Sequence, residues 1–155
     1  MNNIEFKALV KGLFLTQDQV RAIGGYKDQR QIRRFISGEQ PPHKDLIEKL
    51  LTLDKAIDES VAYSANKAID SNIDSISVIG YKNQQQFDKW SDGSLLFIEL
   101  HLCLLFRLKK AITKLGMKLN IKPFDEDCYL DFIENSNLAD NEASMAVWAA
   151  QGSIA

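Results

Sequence analysis

At 155 residues, 45% hydrophobic and 26% charged, the chain has the composition of a globular protein: one domain, or a small domain of about 60 to 70 residues plus a second unit. Its two cysteines, Cys103 and Cys128, and two histidines give no disulfide framework and no zinc-binding spacing, and they point to a reducing, cytoplasmic setting. The net charge of −2 conceals a basic end, with eight Lys/Arg against four Asp/Glu in residues 1–44, and an acidic end, with seven acids and no Lys or Arg in residues 123–155. An anionic partner would dock at the basic end; the acidic end would favour solubility, face a basic partner or lie away from phosphates.

The opening MNNIEFKALVK has no basic segment followed by an apolar run, so no secretory signal is expected. Asn2 is placed to cap a first helix, with Glu5 three residues on, and Phe6, Leu9, Val10 and Leu13 form the apolar stripe that packs it. Residues 15–38 then read as two short helices joined by a tight turn. Thr16 and Gln19 have capping-box spacing, Gly24 and Gly25 end the first of the pair, and Asp28 caps the second with Gln31 at the same spacing.

At about 100° per residue, Ile32, Phe35 and Ile36 share one face of that second helix. Arg30, Arg33, Arg34 and Ser37 gather on the opposite face, with Gln29 at the edge of the first turn. An apolar stripe that anchors a helix, with long donors opposite it, is the layout a DNA-reading helix requires. A solvated basic face is the plainer reading of a charge cluster. The capped preceding helix, the Gly-Gly turn and the Ser37-Gly38-Glu39 exit favour double-stranded DNA as the partner.

Pro41-Pro42 forces an extended link, after which residues 43–72 are predicted as one long helix with Leu46, Leu50, Leu53, Ile57 and Val61 on its buried stripe. Its early part, with Ile47 and Leu51, is expected to close a bundle of four or five helices. The later part, richer in Ala and Ser, is expected to extend away as a linker, leaving a fragment that ends near Asn72 able to fold alone. Residues 76–81 look like a short strand with Gly80 as a turn or bulge, and residues 84–90 like a short helix. Asp92-Gly93-Ser94 reads as a turn and helix cap.

The helix expected over residues 95–115 is apolar on two faces. Leu95, Ile98, Leu102, Leu105, Ala111 and Ile112 line one, and Leu96, Leu100, Leu104 and Leu108 the other. Its apolar run, interrupted by Glu99 and His101, is too short to span a bilayer, so no membrane is expected. A homodimer interface through Leu95, Ile98, Leu102 and Leu105 would cover the second face. Cover by the C-terminal residues of the same chain is the rival. Residues 117–121 are a candidate second strand, and residues 124–134 and 139–151 two acidic helices anchored by Tyr129, Phe132, Ile133, Met145, Val147 and Trp148.

Catalysis is not indicated. His101 and Cys103, two apart, diverge on a helix, so His101 is read as a satisfied core or interface side chain. The run Asp125, Glu126, Asp127 suits a helix first turn better than a metal site, no Gly-rich phosphate loop is present, and no cofactor is expected.

These residues also carry a family resemblance. Residues 1–70 resemble lambda-repressor-like helix-turn-helix domains and, more narrowly, YdiL-like proteins and the phage repressors encoded beside anti-CRISPR genes. The likeness runs through MNNIEFKALVKGLFLT, the turn segment, RRFISGEQPP and IEKLLTL, continues weakly through SVIGYKNQQQFDKW, and leaves residues 117–155 outside. The usual exit pattern of the fold is aromatic, acid, any residue, glycine; Phe35 and Gly38 fit, while Ile36 stands where the acid would be. The resemblance implies base reading by Gln29, Arg30 and Arg34, and phosphate contacts from Arg33 and from Thr16 or Gln17, with Lys27 of the turn counted beside them.

The combined expectation is a mainly α fold: a helix-turn-helix bundle over residues 1–72, then an α+β dimerisation or interaction region over residues 73–155 with one or two short strands. The function expected is that of a homodimeric, sequence-specific transcriptional regulator, most simply a repressor on an inverted repeat. The alternatives are an antitoxin-type protein whose C-terminal region binds a protein toxin, and a protein-interaction module that binds no DNA.

Overall fold

The computed structural model describes residues 1–151, so the last four residues of the expected second region lie outside it. Among the described residues the chain is mainly helical, with one small sheet. In order it forms α1 (Asn3–Gly12), α2 (Gln17–Gly24), α3 (Gln29–Ser37), α4 (Lys44–Asp70), β1 (Ser75–Gly80), α5 (Gln84–Trp90), α6 (Ile98–Lys114), β2 (Lys118–Pro123), α7 (Glu126–Ser136) and α8 (Glu142–Gln151). Among the described residues no helix is long and apolar enough to cross a membrane.

The first three helices start where local signals put them. Asn2 with Glu5 and Thr16 with Gln19 close reciprocal capping boxes. Gly25 (φ +70°) and Gly38 (φ +87°) end α2 and α3 in the left-handed conformation, which a side chain would strain. Asp28 caps α3 through the Arg30 amide at 2.8 Å, but the reciprocal bond expected from Gln31 is not formed among the described residues. The Gln31 carboxamide lies instead 3.5 Å from His43 Nε2.

The first core gathers Phe6, Val10, Leu13, Val20, Ile32, Phe35, Leu46, Leu50 and Ile57 from α1 to α4, and it also takes Leu100 and Cys103 from α6. A boundary near residue 72 therefore does not separate two cores. The later part of α4 does not extend away as a linker. Ala65 and Ala68 are buried against Leu108 and Ile112 of α6, because small side chains let the two helices approach closely. Arg107 of α6 pins this packing. It donates to Asp54 and Asp58 of α4 at 2.7 Å each and to the Gly12 carbonyl at the end of α1 at 3.2 Å.

β1 and β2 pair in parallel, in a register that runs from Ser75 opposite Lys118 to Gly80 opposite Pro123. A parallel pair needs a crossover, and α5 with α6 supplies it. Along β1, Ile76 and Val78 pack on the α4–α6 cluster, whereas Ile79 faces a third, aromatic cluster built on Phe124, Tyr129 and Trp148. Of the anchors expected in the acidic helices, Tyr129 and Trp148 are buried and Phe132, Ile133 and Met145 half-buried; Val147 is exposed, on the outer side of α8.

The long apolar helix begins later than expected. Ser94 does not cap it, since α6 starts at Ile98, whose amide is accepted by Gln84 Oε1 at 2.9 Å. Most of both its faces is covered within the chain: Leu100, Cys103, Leu105, Leu108 and Ile112 are buried. Leu105, named for the dimer interface, spends its apolar area inside the chain, and Leu95, ahead of the helix, packs on the first core. Leu102 is 43% exposed. The chain covers the helix largely with α4 and the first core, not with the C-terminal residues the rival reading invoked.

Candidate nucleic-acid interface

α3 is nine residues long, and its two faces differ completely. Ile32 and Phe35 are fully buried, Phe35 meeting Phe6 edge-on at 6.1 Å between ring centroids and Tyr26 at 5.9 Å. On the other face Arg30, Arg33 and Arg34 are exposed. Their contacts are loose and local: Arg30 Nε lies 3.8 Å from Asp28, Arg34 Nε 4.0 Å from Glu39, and Arg33 donates to Gln29 Oε1 at 3.1 Å. Ion pairs this long and this exposed contribute little to stability, so the guanidinium forks can exchange them for phosphate oxygens or base edges.

Gln29 is half-buried, and its carbonyl oxygen is taken by Arg33, which joins one residue expected to read bases to one expected to hold phosphate. Thr16 and Gln17 stand at the start of α2. The Thr16 hydroxyl is engaged in its own cap, donating to Gln19 Oε1 at 3.0 Å and accepting the Gln19 amide at 3.3 Å. Lys27 is exposed in the turn just ahead of α3. Leu95, Ile98, Leu102 and Leu105 belong to or precede α6 and take no part in this face.

Several groups that hold the face in place were not singled out by the sequence. Arg21 donates to Asp18 at 2.8 Å and to the Tyr26 carbonyl at 3.1 Å, so it fastens the turn. Its hydrogen bond and charge hold the Asp18 carboxyl below the ordinary carboxylate value. The Tyr26 hydroxyl lies 3.0 Å from His43 Nδ1, and the His43 ring packs on Phe35 at 5.2 Å. Tyr26 and His43 thus clamp α3 to the entry of α4, and the burial of Tyr26, helped by the charge of Asp45, raises its hydroxyl's pKa. An aromatic residue in the turn and a histidine straight after Pro41-Pro42 were the available signal. Gln19 adds a bond to Glu99 of α6 at 2.5 Å, which ties the start of α2 to the second half of the chain.

Comparison with protein-family models and with curated proteins finds no match for the chain.

Proposed function

We propose that the chain is a sequence-specific DNA-binding regulator, most simply a repressor, in which α2, the turn and α3 act as a helix-turn-helix and α3 enters the major groove. One observation carries this reading: a short helix, anchored by the fully buried Ile32 and Phe35, presents three exposed arginines on its opposite face. Arg30 and Arg34 suit guanine, Gln29 suits adenine through its amide, and Arg33, Lys27 and the start of α2 suit phosphates.

The chain is proposed to act as a homodimer, with Leu102 and the 49%-exposed Phe106 of α6 as the apolar area left for a partner. A two-fold dimer presents the reading helices in opposite senses, so its operator is an inverted repeat with half-site centres about one helical turn, or two, apart.

Selection of bound sequences from random duplex, followed by affinity measurement on the selected site, tests the proposal. Arg30→Ala and Arg34→Ala should each lose about 1 to 3 kcal/mol on the selected site and less on random duplex. Arg33→Ala should weaken both alike and flatten the salt dependence. Recovery of no consensus, or equal losses for all three variants on both duplexes, would sink the reading.

A further inference from the structure

A cavity of about 520 Å³ lies between the second half of α4, β1, α5, α6 and α8, within the range of small-molecule sites, roughly 300–1,000 Å³. Tyr81, Phe87, Trp90 and Leu104 line it with aromatic and aliphatic surface, and Asp92 and Glu142 add two carboxylates. Among the described residues that line it there is no Lys or Arg.

Two neutral polar groups of the wall, the His101 ring and the Tyr81 hydroxyl, already have partners. His101 Nε2 lies 3.0 Å from the Ile79 carbonyl and must donate to it, which sets the tautomer. Burial, only partly opposed by that bond and by Asp92, lowers the pKa of His101 and favours the uncharged ring. The Tyr81 hydroxyl donates to the Trp90 carbonyl at 3.1 Å. Burial first, then the charges of Asp92 and Glu142, raise its pKa, so both carboxylates act on the same side chain. Asp92 Oδ1 accepts the Ser94 amide at 2.9 Å, and Glu142 stands in the first turn of α8. A single amide donor leaves the Asp92 carboxylate charged.

An anion entering this space would meet two like charges and no donor cation. A cation would meet these carboxylates beside aromatic rings, whose π-faces attract it further. We propose that the cavity binds a small organic cation, an ammonium or amidinium on an apolar or aromatic body, with its charge toward Asp92 and Glu142 and its body against Tyr81, Phe87 and Trp90.

Calorimetric titration of the full chain with phenethylammonium, tryptammonium and benzamidinium tests this, with phenethyl alcohol and phenylacetate as neutral and anionic counterparts of the first. At least one cation should bind; if that is phenethylammonium, it should bind at least about tenfold more tightly than the alcohol, and phenylacetate should not bind. Asp92 and Glu142 are exposed, so Asp92→Asn and Glu142→Gln should keep the fold, to be checked by circular dichroism, and together should abolish the response to the cation. Absence of binding by all three cations at millimolar concentration, equal affinity for the alcohol, or cation binding that survives in the double variant would overturn the proposal. No DNA enters the measurement, so its failure is separate from failure of the DNA-binding reading.

Discussion

The two ends of the chain are held together by different means. Around α1 to α3 the chain is directed by partners three residues away: Asn2 with Glu5, Thr16 with Gln19, Arg21 with Asp18. Beyond residue 72 the decisive partners are far apart in sequence. Ser75 pairs with Lys118, Gln84 satisfies the start of α6, Lys89 reaches Glu126, and Lys122 donates to the Trp148 carbonyl at 2.8 Å beneath a cation–π contact. The first region illustrates specification by short-range chemistry; the second acquires its shape only when distant segments meet.

The sharpest way to break this contrast is to cut the chain after Asn72. The first region would be self-sufficient if its local signals were enough, but its core then loses Leu100 and Cys103, and α4 loses Arg107. A single core this small rarely supplies more than about 3 to 5 kcal/mol, so the fragment should lose its cooperative thermal transition. Calorimetry that finds a fragment as stable as the whole chain would show that the first region stands alone.

Arg107→Ala is the next largest effect. Burial disfavours the charged guanidinium, but Asp54 and Asp58 outweigh it and hold its pKa above the ordinary arginine value. Removing it leaves the half-buried Asp54 without this partner and should cost about 2 to 3 kcal/mol in urea denaturation. A loss within a few tenths of that for an exposed pair such as Lys55 with Glu59 would mean that Arg107 is not a link between the regions.

Thr16→Ala removes a purely local signal and should cost about 1 kcal/mol, read from the same denaturation curves. The two regions would differ less than proposed if it matched the Arg107 variant.

The smallest effect is one of pH. His101 titrates below its ordinary value in the folded chain, chiefly because it is buried, while the unfolded chain titrates near about 6.5. On acidification the unfolded state takes up the proton first, so this histidine lowers stability as pH falls from about 7 toward 5.5. His101→Gln should make that decline shallower; an unchanged slope would assign it to other groups.

Much of the first region was legible because each of its devices fits inside one turn of chain. The arginine face needed only the helical period, and the caps at Asn2, Thr16 and Asp28 needed only their spacing. The bounds of α5 were readable too, although its cap, Asn83 accepting the Gln86 amide, was not singled out. What could not be read depended on distant partners. The start of α6 waits on Gln84, the second half of α4 on Leu108 and Ile112, and the inward turn of Leu105 on the packing of α6. At the proposed interface the exposed arginines were readable, but the clamp of Tyr26 and His43 joins residues on opposite sides of α3.

α4 passes through both regions without a break. Its 27 residues cover about 40 Å at about 1.5 Å of rise each, with Leu46 and Leu50 in one cluster and Ala65 and Ala68 in another. In hydrogen exchange, amides around Leu53 to Val61 should open only when the whole molecule does, since either neighbouring cluster alone keeps them closed. The terminal turns, each answerable to a single cluster, should exchange through smaller openings. The middle of this helix is therefore where the least frequent fluctuations of the molecule should be found.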